Sequence, residues 1–114
     1  MTMRSRALVL SPLAEDDLSN IASWTASHFG ARQAGIYVDA LVETIEELVS
    51  VKTHPPSKDR NEILPGLRSL HMARRGRSGR HILLYFEDVA TVTILRIVHD
   101  SMELARHLPP ETGE

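Results

Sequence analysis

Hydrophobic residues recur along this chain in two different rhythms. Residues 6–10, Arg6-Ala7-Leu8-Val9-Leu10, form a short apolar run that predicts a buried strand. Ser11-Pro12 reads as a helix start, because serine caps free amides and proline suits the first helical position. Ala14, Leu18, Ile21, Ala22, Thr25 and Phe29 then form one helical stripe, and Gly30 marks its end. A second stripe of Ala34, Tyr37, Val38, Leu41, Ile45, Leu48 and Val49 predicts a helix from about Ala31 to Lys52, stopped by His54-Pro55-Pro56. So short a link at Gly30 makes the pair an antiparallel hairpin.

After an irregular loop over residues 54–66, the rhythm shortens to that of strands. Strands are predicted for Leu67 to Ala73, Arg80 to Glu87 and Thr91 to Val98, an antiparallel meander. A glycine-containing connection, Arg74 to Gly79, joins the first two. Residues 99–108 form a short amphipathic tail of one or two helical turns, and residues 109–114 are expected to fray. The fold class is therefore α+β: an N-terminal strand, a two-helix hairpin, a three-stranded meander and a short C-terminal helix. Two helices cover only one face of such a sheet. The strand at 80–87 is apolar on both faces, so either the tail or a partner chain covers the other.

The 114 residues suit one domain over 1–114. Hydrophobic residues at 42% and charged residues at 25% are ordinary for a globular protein. The absence of cysteine excludes disulfides, thiolate metal sites and cysteine nucleophiles, and suits a reducing cytosol. No apolar run approaches a membrane span, and the apolar segment after the basic start is too short for an export signal. A cytoplasmic protein is expected.

Net charge is −2, but the basic residues are concentrated. Five arginines and no acid lie between Gly66 and His81: Arg68, Arg74, Arg75, Arg77 and Arg80. Such a cluster suits phosphates or an acidic protein surface, or is a solvated hairpin tip. No aromatic ring interleaves it, which argues against a base-stacking platform. Glu15, Asp16 and Asp17 complement the helix dipole, and Asp39, Glu43, Glu46 and Glu47 form a solvated face. The histidines lack metal-ligand spacing, with only His71, His81, His99 and His107 able to converge; no metal is expected. Gly76-Arg77-Ser78-Gly79 lacks the ending of a nucleotide-binding loop, so no cofactor is expected either. Histidine is the usual general base near neutral pH, and His99 with Arg68, Arg80 and Arg96 is a workable set for metal-free RNA cleavage. Its plainer role is to turn the chain with Asp100. Trp24 lies off the first stripe and either packs on the neighbouring helix or anchors a partner.

The chain resembles the ParE toxins of the RelE/ParE superfamily of toxin–antitoxin proteins. The resemblance rests on Leu10-Ser11-Pro12-Leu13-Ala14-Glu15-Asp16-Asp17-Leu18, the helix hairpin, Pro65 to Leu70, and Gly79-Arg80-His81-Ile82-Leu83-Leu84-Tyr85-Phe86. It closes on Ile94 to Glu103 and Ala105-Arg106-His107-Leu108. It implies a growth inhibitor of DNA gyrase, held inactive by a ParD-like antitoxin, with operator DNA reached only through the antitoxin. Arg68, Arg80, Arg96, His99, Met102, Arg106, His107 and Leu108 are then the expected target surface. Trp24, Tyr37, Leu83 and Tyr85 are the expected antitoxin contacts. RelE-type ribonucleases carry a C-terminal Tyr or a His-Tyr pair; here His99 precedes Asp100 and no Tyr follows Tyr85. The ribonuclease reading, with His99, Arg68, Arg80 and Arg96 catalytic, is therefore the alternative. A binding module without toxicity is the third.

Overall fold

A computed structural model describes residues 6–50, 55–73 and 79–101. In chain order it contains β1 (Ala7–Leu10), α1 (Pro12–Phe29), α2 (Ala31–Val49), β2 (Lys58–Asp59), β3 (Arg68–His71), β4 (His81–Glu87) and β5 (Thr91–His99). Ser11 starts α1 as expected: its Oγ accepts from the Ala14 N–H at 3.0 Å and donates to the Leu95 carbonyl at 2.6 Å. One residue, Gly30 at φ +93°, ends α1 and begins α2, a conformation that favours glycine. Its N–H closes onto the Ala26 carbonyl.

The sheet has five strands in the order β1-β5-β4-β3-β2, where the sequence reading has a three-stranded meander. The meander is present as antiparallel β3, β4 and β5. β1 joins it parallel to β5, from Ala7 opposite Thr91 to Leu10 opposite Ile94. β2 lies inside the expected loop over 54–66 and is a two-residue pairing with β3, too short to leave a periodic signal. β1 is also not the buried strand expected. It is an edge, with Leu8 44% and Val9 47% exposed. α2 stops at Val49, short of Lys52, with Ser50 in extended backbone. The expected tail beyond Ser101 and most of the Arg74–Gly79 connection lie outside the described residues.

The sheet carries apolar side chains on both faces. On one face Leu70, Met72, Leu83, Tyr85, Val92, Ile94 and Ile97 pack with Ala14, Ile21, Leu41, Ile45 and Leu48 of the helices. On the other, Leu67, Ile82, Leu84, Leu95 and Val98 form a second buried cluster with Ile63, Leu64 and Phe86 against it. A bulge makes this division on β5: Leu84 faces Arg96 and Tyr85 faces Ile94, so Leu95 is the extra residue and joins the second cluster. Leu83 and Tyr85 therefore cannot be antitoxin contacts on an open sheet face. They are 0% and 1% exposed, sealed in the helix-side core.

Candidate functional site: a groove between the helix hairpin and the end of the sheet

α1 lies against β5, but only the first part of β5 is paired by β1, which ends opposite Ile94. Past that point β5 is an edge with a backbone N–H to satisfy. Asp17 of α1 takes the place of a strand. Its Oδ2 accepts from the Ile97 N–H at 2.8 Å and from Arg96 Nε at 2.8 Å, and its Oδ1 accepts from Arg96 Nη2 at 2.8 Å. A buried carboxylate so paired is satisfied, and it keeps the Arg96 guanidinium firmly charged. The acidic trio thus contains one structural anchor, not three dipole charges. The signal was legible: Asp17 lies three residues after Ala14 and four before Ile21, on the apolar face itself.

Beyond this anchor, α1, α2 and the ends of β4 and β5 leave a groove of about 910 Å³. Ile21, Trp24, Phe29, Tyr37 and Ile97 make its apolar lining, and Arg80, His81, Arg96 and His99 line its polar part. Trp24 does not pack on the neighbouring helix. It is 56% exposed and stacks on His28 with ring centroids 4.0 Å apart. Phe29, expected on the buried stripe, is 64% exposed and stands 5.9 Å from Trp24. Helix ends turn away from the core, so the last position of a stripe need not be covered. Two large aromatic side chains therefore rim the groove at the hairpin end.

The polar end is a hydrogen-bonded chain of side chains. The Tyr37 hydroxyl and His81 Nδ1 share a bond of 2.8 Å, and the His81 and His99 rings meet edge to face at 5.5 Å. Burial pushes the His81 imidazolium down, and the neighbouring His99 adds to that. Burial pushes the Tyr37 phenol up. Asp100 accepts from Arg80 Nε at 2.9 Å and bonds His71 Nε2 at 2.8 Å. The Arg80 hydrogen bond, then that of His71, holds the Asp100 carboxyl down at about 2. His99 Nδ1 bonds Ser101 Oγ at 2.8 Å, turning the chain at the exit of β5. The expected convergence of His71, His81 and His99 is real, and Asp100 and Tyr37 organise it; His107 lies outside the described residues. Gly79 permits the arrangement: at φ +152°, a Cβ there would stand 2.7 Å from the Tyr37 hydroxyl.

Of the expected target surface, Arg80, Arg96 and His99 come together here. So do Trp24 and Tyr37, expected on the antitoxin side, so the two sets share one groove. Arg68 does not join them. It lies in a separate cavity with Arg6, Ser57 and Glu87. Met102, Arg106, His107 and Leu108 lie outside the described residues. No cluster of three or more metal-ligating side chains occurs among the described residues. No described helix is long and apolar enough to cross a membrane.

The family model described as "ParE toxin of type II toxin-antitoxin system, parDE" matches residues 8–104, which include both helices and the strands β4 and β5 that form the groove. The chain belongs to the ParE toxin family. It is 34% identical over 99 residues to toxin ParE1 of Caulobacter vibrioides, covering 87% of this chain and 94% of that protein. A solved chain described as the chromosomal ParDE TA system from P. aeruginosa shares the fold. Its TM-score is 0.67 at 22% identity, covering 83% of this chain and 96% of that one. As a ParE toxin, the chain is one component of a toxin–antitoxin system, and an antitoxin is its implied partner.

Proposed function

We propose that this ParE-family toxin inhibits growth by docking on DNA gyrase in the cytoplasm, breaking no bond itself. In this reading a ParD-like antitoxin neutralises it by filling the groove rimmed by Trp24 and Phe29. Operator DNA is then reached only through that antitoxin. The observation that carries the reading is the character of the groove: aromatic and apolar along the hairpin, with its cations already neutralised. Arg96 is held by Asp17 and Arg80 by Asp100. An arginine so paired is poorly placed to stabilise a phosphate transition state, because the carboxylate competes for the same fork. A groove with large exposed aromatic anchors suits a protein partner.

The ribonuclease alternative needs His99 as a base beside free arginines. His99 instead bonds Ser101, and Arg68 lies in another cavity. Purified toxin added to gyrase is expected to stop supercoiling and trap cleaved DNA. An unaffected gyrase at large molar excess of toxin rejects the reading. Message cleavage in a translation extract that is lost in His99→Ala would replace it with the ribonuclease. Unimpaired growth on expression without antitoxin would leave a binding module.

A further inference from the structure

Three histidines meet at the exit of β5, but the fold uses them unequally. His71 is spent at both ring nitrogens: Nδ1 accepts from the Ala73 N–H at 2.9 Å and Nε2 bonds Asp100 at 2.8 Å. His81 and His99 are each spent at one. The Arg80 backbone N–H donates to the Tyr37 hydroxyl, so that hydroxyl gives its own proton to His81 Nδ1. His99 Nδ1 accepts from the Ser101 N–H at 3.2 Å and bonds Ser101 Oγ at 2.8 Å. In both neutral rings Nδ1 is therefore the acceptor, and Nε2 carries the proton. No described residue hydrogen-bonds either Nε2. These two histidines, and not His71, line the groove.

The standing charges around the pair cancel. His81 is faced by Tyr37 of α2, Asp17 of α1, His71 of β3, and His99 and Asp100 at the end of β5. Arg80 and Arg96 bring two positive charges, and Asp100 and Asp17 close on them one to one. Burial and the His99 ring both hold the His81 imidazolium down, so the free toxin keeps that ring neutral at pH 7. A net positive charge can then arise at this end only by protonating the histidines.

We propose that the partner segment filling the groove carries a carboxylate, an Asp or Glu side chain, that docks on the His81–His99 pair, and that the pair takes up one proton as it binds. This rests on the groove being the antitoxin's seat, and adds the chemistry of the occupant. The two Nε2–H groups call for an acceptor. A carboxylate buried there needs a counter-charge, and both arginines are already taken. It therefore draws a proton onto one ring. Either ring can accept it at Nδ1, because the partner there is a hydroxyl, of Tyr37 or of Ser101, which accepts as readily as it donates. Ring centroids 5.5 Å apart disfavour charging both. The apolar lining along Trp24 and Phe29 takes the large side chains of the same segment.

The test is calorimetry of full-length toxin with its ParD-like antitoxin, in buffers of different ionisation enthalpy and across pH. About one proton should be taken up at pH 7, and affinity should tighten roughly tenfold from about pH 8 to about pH 6.5. The double variant His81→Gln, His99→Gln, shown by its melting curve to be folded, should lose the uptake and bind with flat pH dependence. Among antitoxin variants with one Asp or Glu changed to its amide, one should lose the uptake too. Trp24→Ala should weaken binding by a similar factor at every pH and keep the uptake. Affinity independent of pH, proton release, uptake that survives the double variant, or uptake that survives every amide exchange overturns the inference. If Trp24→Ala still weakens binding in that case, docking in the groove stands without the carboxylate. Unchanged affinity in Trp24→Ala overturns both.

Discussion

Asp17 shows how much one side chain carries in a small domain. It closes the open edge of β5, neutralises Arg96 and fixes α1 against the sheet. Asp17→Ala leaves a partly buried guanidinium and a backbone N–H unpaired, and is expected to cost about 3 kcal/mol in denaturant unfolding. Loss of less than about 1 kcal/mol would show that the anchor is dispensable. Two titrations at the polar end have defined signs. Asp100 is held down at about 2, so its stabilisation is complete above the ordinary carboxylate range and is lost as pH falls from about 4 towards 2. Asp100→Asn should flatten that limb of the stability curve. His81 is also pushed down, so the unfolded chain takes up its proton first. Its stabilisation is complete above about pH 6.5 and lost as pH falls below. The melting temperature should drop over that window in the parent and less so in His81→Gln.

At the scale of elements, the hairpin and the meander were legible because each is long enough to show its period. Gly30, Ser11-Pro12 and Pro55-Pro56 punctuate them by conformations that other residues do not adopt readily. What stayed hidden depends on neighbours distant in sequence. β2 is two residues long, and the exposure of β1 follows from its place beside β5, which no local pattern encodes. The groove was half legible. Arg80, Arg96, His99, Trp24 and Tyr37 were picked out by residue type, but as two separate surfaces. Only the packing of α2 over the end of β4 joins them, through Tyr37 and His81. Leu83 and Tyr85 misled because an apolar residue reads alike whether a helix or a partner covers it. The junction rests on a bare backbone at Gly79, so Gly79→Ala should displace the Tyr37 ring and lose more stability than Tyr37→Phe, which forfeits about 1 kcal/mol. Equal losses in the two variants would show that Tyr37 is free to yield.

For the whole molecule, a five-stranded sheet with a core on each face still leaves exposed aromatic side chains along the groove. Trp24 is exposed and makes its ring contacts with His28 and Phe29, also exposed. Trp24→Ala should therefore leave folding within about 0.5 kcal/mol of the parent. It should weaken antitoxin binding by about 2 kcal/mol, roughly thirtyfold, in calorimetry. A variant that binds the antitoxin unchanged would move the docking surface elsewhere. Inhibition by docking also differs from inhibition by turnover in its dependence on amount. The direct measurement is gyrase supercoiling at fixed enzyme, titrated with toxin and then with antitoxin. Activity should fall in step with toxin occupancy, cleaved DNA should accumulate, and equimolar antitoxin should restore supercoiling. Intact supercoiling at every ratio, alongside message cleavage at sub-stoichiometric toxin in a translation extract, would contradict the account.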